Sequence, residues 1–285
     1  SQAAAFIRLR PAFDFALWRR VFSMSWPIGI SIIFNLAYLK ADAIFLSVLR
    51  PEADVGFYGA AYRVLDILTG LATLFMGLIL PAMTAAWVAR NTDRFRAILE
   101  KSFDAVSLMA FPTMAIGIAL GRPIMMFVAG KDFAPAGDIL AVLILAMGAV
   151  FFSTLSGHTV VALNKQRTMI WGYALDAAVS LAAYAIFIPR YGMWGAAWTT
   201  VFSEVIMVAL TFFVVASASR MAPRFTVCIK AAASACLAGG VMIVLADTHW
   251  IPALVAGVAV YGAGIIGTGA LRREFLAEIF RFRSV

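Results

Sequence analysis

Apolar residues fill long stretches of the chain, and charged residues, proline or glycine interrupt them at short intervals. A helix needs about 20 apolar residues to cross the hydrocarbon core of a membrane, and each stretch is of that order. The pattern therefore predicts an all-α, polytopic membrane helix bundle of about eight transmembrane helices. Because the connections are short, successive helices should be antiparallel neighbours. The predicted spans are 22–49, 56–88, 102–120, 139–163, 168–188, 193–217, 227–246 and 251–270.

Composition supports this class. Of the 285 residues, 63% are hydrophobic and only 13% are charged, with a mean hydropathy of +0.93. A soluble domain has about 45–50% apolar and about 25% charged residues, so a water-soluble enzyme and a nucleic-acid-binding module are excluded. Cys228 and Cys236 lie too far apart along one predicted helix for a disulfide, and they form no CxxC metal motif. We predict no catalytic residues, no cofactor and no nucleic-acid partner.

The basic residues predict the orientation. Seventeen of the 23 lysines and arginines fall at the two termini and in every second connection, whereas only four fall in the alternate connections. By the positive-inside rule both termini should be cytoplasmic. Residues 1–21 should form a basic, aromatic segment at the cytoplasmic interface. Residues 90–104 should form an amphipathic helix on the inner surface, with Phe95, Ile98 and Leu99 toward lipid.

Two segments of the chain resemble each other. Gly-Phe-Tyr-Gly-Ala-Ala-Tyr at 56–62 opens the second predicted span, and Gly-Met-Trp-Gly-Ala-Ala-Trp at 192–198 opens the sixth. Small residues at the start of a span let helices approach closely, and aromatic rings suit the membrane interface. An internal duplication of three helices explains the pair, and so does a general preference of short external turns for glycine and aromatic residues.

Several short motifs, in order, resemble a known family. They are Trp-Pro-Ile-Gly-Ile at 26–30, Lys-Ala-Asp-Ala-Ile-Phe-Leu-Ser at 40–47, residues 55–63 around the first repeat, Leu-Pro at 80–81, and residues 191–197. This series is similar to the start of the second half of the Wzx-like polysaccharide flippases. Those proteins share a superfamily with multidrug and toxin extruders and with the lipid II flippase.

The resemblance implies two six-helix lobes around a central cavity, with two extra helices in some members. This chain would supply the second lobe at 22–217 and an additional helix pair with a basic cytoplasmic tail at 218–285. A first lobe, from the same native chain, would be the missing partner, and we expect further chain before residue 1. The implied function is movement of a lipid-linked oligosaccharide, a polyprenyl-diphosphate sugar, across the bacterial cytoplasmic membrane by alternating access, in contact with membrane lipids.

Ionisable residues inside the first two spans are the leading site candidates. A charge at the centre of a membrane helix costs between about 2.5 and more than about 10 kcal/mol, so each needs a partner or a purpose. Counted at about 1.5 Å per residue, Asp42 lies level with Arg63, and Lys40 lies level with Asp66. The hairpin can form either pair or exchange partners, as a structural clamp or as part of a substrate cavity. The helical spacing of Asn35, Tyr38 and Asp42 favours one water-facing stripe.

Asp176 and Glu204 lie near mid-membrane in the fifth and sixth predicted spans, with no basic residue beside them in those spans. We expect them to be protonated and bonded to neighbouring helices, or to bind a coupling cation or sugar hydroxyls. The alternative functions are a cation-coupled multidrug extruder and a fragment or assembly partner that does not transport. A membrane-embedded transferase is disfavoured because no connection is long or acidic enough to carry its active site.

Overall fold

Eight long helices follow one another in the computed structural model, which describes residues 14–246 and 249–270. Inside the first helix, the side chains of residues 24, 27, 28, 31 and 35–39 lie outside the described part. The helices are α1 Phe15–Leu49, α2 Glu52–Val88, α3 Thr92–Ala129, α4 Ala134–Ala162, α5 Gln166–Tyr191, α6 Met193–Ser219, α7 Thr226–Ala246 and α8 Trp250–Gly267; a short 3₁₀ turn, Lys131–Phe133, precedes α4.

Length and composition make seven of the described helices, α2 to α8, capable of crossing a membrane. The described part is helical with short turns, and this confirms the predicted all-α membrane bundle. The number of spans and the side on which the termini lie stay predictions. So does the division at residues 21 and 217, together with the interfacial segment 1–21, most of which lies outside the described residues.

Local sequence explains where several helices begin and end. The Asp14 carboxylate caps α1 by accepting from the amides of Ala16 and Leu17, at 2.9 and 3.0 Å. The Asn91 side chain caps α3 in the same way, accepting from the amide of Arg94 at 3.0 Å. Such caps satisfy amides that have no partner in the first turn. Gly192, with φ of +59°, turns the chain from α5 into α6 in a conformation that favours glycine.

Helix α4 forms the centre of the bundle. It packs against α2, α3 and α6. In its most apolar 18-residue stretch 61% of the residues are buried inside the protein, compared with 11% for α8. A helix that is apolar all round belongs in such a position. Helix α1 packs mainly on α5 and only lightly on α2, while α7 and α8 pair with each other and lie against α3. The light contact between α1 and α2 leaves room for the candidate site.

The prediction that residues 90–104 form an amphipathic helix on the membrane surface is wrong about what covers the apolar face. These residues form the first turns of α3, and Phe95 and Leu99 are buried rather than turned toward lipid. The Phe95 ring packs on Trp87, with 5.1 Å between the ring centroids. The apolar face is therefore explained by packing on the end of α2. Periodicity alone does not distinguish lipid from protein as the covering medium.

A tyrosine in α8 compensates for a proline in α3. Proline has no N–H, so Pro112 leaves the carbonyl of Leu108, four residues earlier, without its helical donor. The hydroxyl of Tyr261 donates to that carbonyl at 2.9 Å. This bond fixes the α7–α8 pair to the bundle at a defined height.

Candidate functional site

A groove of about 370 Å³ opens between α1, α2, α4, α5 and α6. Most of its surface is apolar, and its polar side chains come from all five helices. A groove with apolar walls and a few convergent polar groups is the usual form of a small-molecule site. The polar and charged lining residues are Lys40, Tyr62, Asp66, Thr69, Thr73, Ser153, Thr154, His158, Gln166, Tyr173, Thr200 and Glu204.

Lys40 and Asp66 form an ion pair on the wall of the groove. The Lys40 Nζ donates to the two Asp66 oxygens at 3.1 and 3.4 Å, and it lies 4.8 Å from the centroid of the Tyr62 ring. Their side chains are 50% and 57% exposed, so the pair faces open space and not the packed interior. It joins α1 to α2 at a place where the two helices contact each other little. This is one of the pairings that the depth count allowed.

Asp42 and Arg63 do not pair, which corrects the other arrangement considered for this hairpin. Asp42 is buried, and it accepts from the Tyr58 hydroxyl at 2.5 Å and from the Ala43 amide at 2.7 Å. Arg63 is exposed on α2, outside the groove lining. Asp42 is also outside the lining, so of the four candidate charges considered for this hairpin only Lys40 and Asp66 line the groove.

The Asp42–Tyr58 bond belongs to a network that joins four helices. The Thr200 hydroxyl donates to the Ala196 carbonyl at 3.0 Å and accepts from Tyr184 at 3.2 Å, and it lies 3.4 Å from the Tyr58 oxygen. These residues connect α1 and α2 to α5 and α6, and Thr200 also lines the groove. A buried network with satisfied partners rigidifies the elements it joins. The arrangement can therefore hold the wall that carries Lys40 and Asp66.

Asn35 and Tyr38 belong to the stretch of α1 whose side chains lie outside the described residues. Their place on α1, one and two turns before Asp42, is described, but the direction of their side chains is not. The water-facing stripe that they were predicted to form with Asp42 stays a prediction.

The two acids of α5 and α6 occupy different environments. Asp176 is fully buried, and its Oδ2 accepts from the Ser203 hydroxyl at 2.8 Å. Its Oδ1 and the nearby Ser180 hydroxyl have no hydrogen-bond partner among the described residues. Glu204, also buried, lies at the groove, and its Oε2 accepts from Ser153 of α4 at 3.3 Å. Both acids therefore bond across to a neighbouring helix, and only Glu204 reaches the cavity.

Sequence reasoning did not find Tyr58, Tyr184, Ser153 or Ser203. The sequence signal was only that each is a hydroxyl inside a predicted span; in the structure, each faces an acid or a threonine on another helix. His158 has its Nδ1 2.8 Å from the Thr154 carbonyl of its own helix. It also lines the groove.

Residues 1–87 match the family described as polysaccharide biosynthesis protein. No curated protein sequence matches the chain. Among solved structures, the chain is similar to the lipid II flippase MurJ in an inward closed conformation, with a TM-score of 0.74 and 15% identity. The similarity covers 92% of this chain and 57% of that one, so the chain spans little more than half of that flippase.

The sequence match covers the motifs of the first two helices, and the structural match covers nearly all the rest. Together they confirm the predicted resemblance: the first 87 residues match a polysaccharide biosynthesis family, and the chain shares its fold with part of the lipid II flippase.

Proposed function

We propose that the chain is part of a transporter that moves a lipid-linked oligosaccharide across the bacterial cytoplasmic membrane for synthesis of a surface polysaccharide. The family of the first 87 residues supports the polysaccharide, and the flippase fold supports a lipid-linked substrate. The groove supports a polar head group held at membrane depth while an apolar tail stays in lipid. Alternating access to the two sides of the membrane completes the proposal.

The Lys40–Asp66 pair carries this proposal. A lysine ammonium is a compact charge that binds phosphate oxygens, and here it is half exposed on the wall of a largely apolar groove. While the groove is empty, Asp66 neutralises the charge, which would otherwise be costly at this depth. A diphosphate that enters the groove would compete with Asp66 for Lys40. Exchange of one anion for another lets the substrate bind and leave without exposing an unpaired cation to the apolar walls.

The other candidate residues take roles around this pair. Arg63 follows the same face of α2 as Asp66, and its planar guanidinium suits a second phosphate oxygen pair. Glu204 and Tyr62 lie at the groove, where they suit sugar hydroxyls or a coupling cation. Asp42 positions the wall through Tyr58. Asn35 and Tyr38 would extend the polar surface of α1, and Asp176 would act as a bonded, buried acid.

The remaining wall of the cavity would come from another lobe. Lys40 of α1 and Asp66 of α2 are half exposed on the groove wall, and the chain spans 57% of the structurally similar flippase. We assign residues 22–217 to one six-helix lobe and 218–285 to an added helix pair, with the other lobe in the same native chain.

A cation-coupled extruder of apolar compounds is the second candidate. One observation favours it: Glu204 is buried at the edge of a groove whose surface is mostly apolar. Such a site would take an apolar cation, with Glu204 as its counter-charge. Glu204→Gln would then raise drug sensitivity and leave the surface polysaccharide unchanged.

Surface polysaccharide in cells that express the full-length protein tests the proposed function. Lys40→Ala should reduce export roughly tenfold or more, because one charge-assisted phosphate bond contributes about 1.5–3 kcal/mol. Lys40→Arg should retain most export. Lys131→Ala, which removes an exposed lysine from the turn before α4, is the matched control and should have no effect. Normal export by a Lys40→Ala protein that is present at wild-type level would contradict the proposal.

A further inference from the structure

A second depression lies on the outer face of α5 and α6, away from the groove. It has a volume of about 710 Å³, and Phe187 and Tyr191 of α5 form one side. Trp194, Trp198 and Phe202 of α6 form the other side, and all five rings are exposed. None of the described residues that line this aromatic trough is charged.

Close packing of the two backbones creates the trough. At Gly195 an added Cβ would lie 2.5 Å from the Phe187 carbonyl oxygen, so α5 and α6 touch directly there. The large aromatic side chains project on either side of this contact, and the backbones of the two helices form the bottom of the trough. A contact of this kind, with small residues at the crossing, is typical of membrane helices. The trough is therefore part of the packed structure and does not depend on loose side chains.

The dimensions of the trough match one membrane leaflet. From Ala183 to Tyr191 the wall on α5 rises about 12 Å, close to half of the roughly 30 Å hydrocarbon core. Both walls belong to helices long and apolar enough to cross the membrane. A single acyl chain from one leaflet fits this length, whereas a long polyprenyl chain would extend well beyond it.

Positive charge lies at one end of the trough. Arg190 is exposed in the last turn of α5, and no described carboxylate forms an ion pair with it. The Arg50 guanidinium lies against Gly192, between Tyr191 and Trp194 in the chain, and its bond to Asp54 at 3.1 Å neutralises that acid. An apolar trough one leaflet long, with an exposed arginine at its end that no described carboxylate pairs with, complements a lipid with an anionic head group.

We infer that the trough binds one acyl chain of an anionic membrane phospholipid, with its phosphate against Arg190. The site is separate from the substrate groove and does not depend on the proposed transport function. A bound lipid would restrict the motion of the α5–α6 turn. Because Arg50 lies against Gly192 in that turn, it would also restrict the turn between α1 and α2.

Quenching of tryptophan fluorescence by brominated lipid tests this inference. The full-length protein with Trp198 as its single tryptophan is reconstituted into phosphatidylcholine vesicles that contain increasing fractions of acyl-brominated phosphatidylglycerol. Half-maximal quenching of Trp198 should occur at a roughly fivefold lower fraction than for a matched variant that retains only Trp250, because a basic side chain at the surface concentrates anionic lipid. Trp250 begins α8 and lies outside the trough.

Arg190→Gln should move the Trp198 curve onto that of Trp250, and Arg190→Lys should preserve the difference. If the single-tryptophan variant fails to fold, quenching is measured in the protein with all its tryptophans and in its Trp198→Phe variant. The difference between their quenching curves reports Trp198. Parallel curves for Trp198 and Trp250, or equal quenching by brominated phosphatidylcholine, would overturn the inference. So would a Trp198 that no brominated lipid reaches, since a second copy of the chain would then cover the trough.

Discussion

The first hairpin, α1–α2, and the third, α5–α6, carry nearly the same seven residues near the start of their second helices, at 56–62 and 192–198, but are packed in opposite ways. In α2, no described atom lies within 4 Å of a Cβ added at Gly56 or Gly59. In α6, a Cβ at Gly195 would collide with the backbone of α5. The expectation that small residues allow close approach therefore holds in the third hairpin and fails in the first, as far as the described residues show.

The charges of the two hairpins differ in the same sense. In the open hairpin, Lys40 and Asp66 face each other on an exposed wall. In the closed hairpin, Asp176 is buried and bonded to Ser203. The same local sequence thus occurs in a loosely packed hairpin with an exposed wall in one place and in a packed joint in the other. The packing of each hairpin depends on whether its first helix runs close along the second or diverges from it. The seven-residue segment does not determine that path.

The largest expected effect comes from the paired glycines. Gly195→Val should destabilise the protein by about 3 kcal/mol, because the added atoms meet backbone that cannot rotate away. Gly59→Val, at the corresponding place in the open hairpin, should change stability by only about 0.5 kcal/mol. Unfolding in mixed micelles by added dodecyl sulfate measures both. Equal losses for the two variants would mean that both hairpins are tightly packed in the membrane.

The network that connects the two hairpins should give an intermediate effect. Tyr58→Phe removes the hydroxyl that donates to buried Asp42, and an acceptor left without its donor costs about 2 kcal/mol. The same micelle titration measures this loss. Tyr191→Phe is the control, because Tyr191 is exposed and its hydroxyl should be dispensable for folding. No loss in Tyr58→Phe would show that Asp42 is solvated, which would place it in the groove after all.

The exposed ion pair should contribute least to stability. Pairs open to solvent are worth about 0.2–1 kcal/mol, so a double-mutant cycle of Lys40→Gln and Asp66→Asn should give a coupling below about 1 kcal/mol. Thermal denaturation of the four proteins in detergent supplies the cycle. A coupling above about 2 kcal/mol would indicate that the pair is a structural clamp, and it would remove the reason to assign it to the substrate.

Much of the fold follows from the sequence, because each helix is an apolar run bounded by short turns. The depth count also allowed a pair between Lys40 and Asp66, which the structure forms. The same count missed Tyr58 as the partner of Asp42 because it began the second span at residue 56. Helix α2 begins at Glu52, one turn earlier, which brings Tyr58 level with Asp42 and Tyr62 level with Lys40. The long, flexible side chain of Lys40 packs over Tyr62 and spans the remaining turn to Asp66.

Which acid reaches the cavity was not predictable in this way. Asp176 and Glu204 have similar surroundings in the sequence, and both lie in the middle of long helices. The direction of each side chain depends on how α5 and α6 rotate against α4 and α1. That rotation is set by packing between distant parts of the chain, such as the Gly195 crossing.

Water access to the two hairpins is the most direct test of the account. In a full-length protein without Cys228 and Cys236, a cysteine at position 66 should react with a membrane-impermeant maleimide roughly tenfold faster than one at position 176, because only an exposed thiol ionises and meets the reagent. Lipid-linked oligosaccharide should slow the reaction at 66 and leave position 176 unchanged. An unreactive cysteine at 66, or equal rates at both positions, would contradict the account.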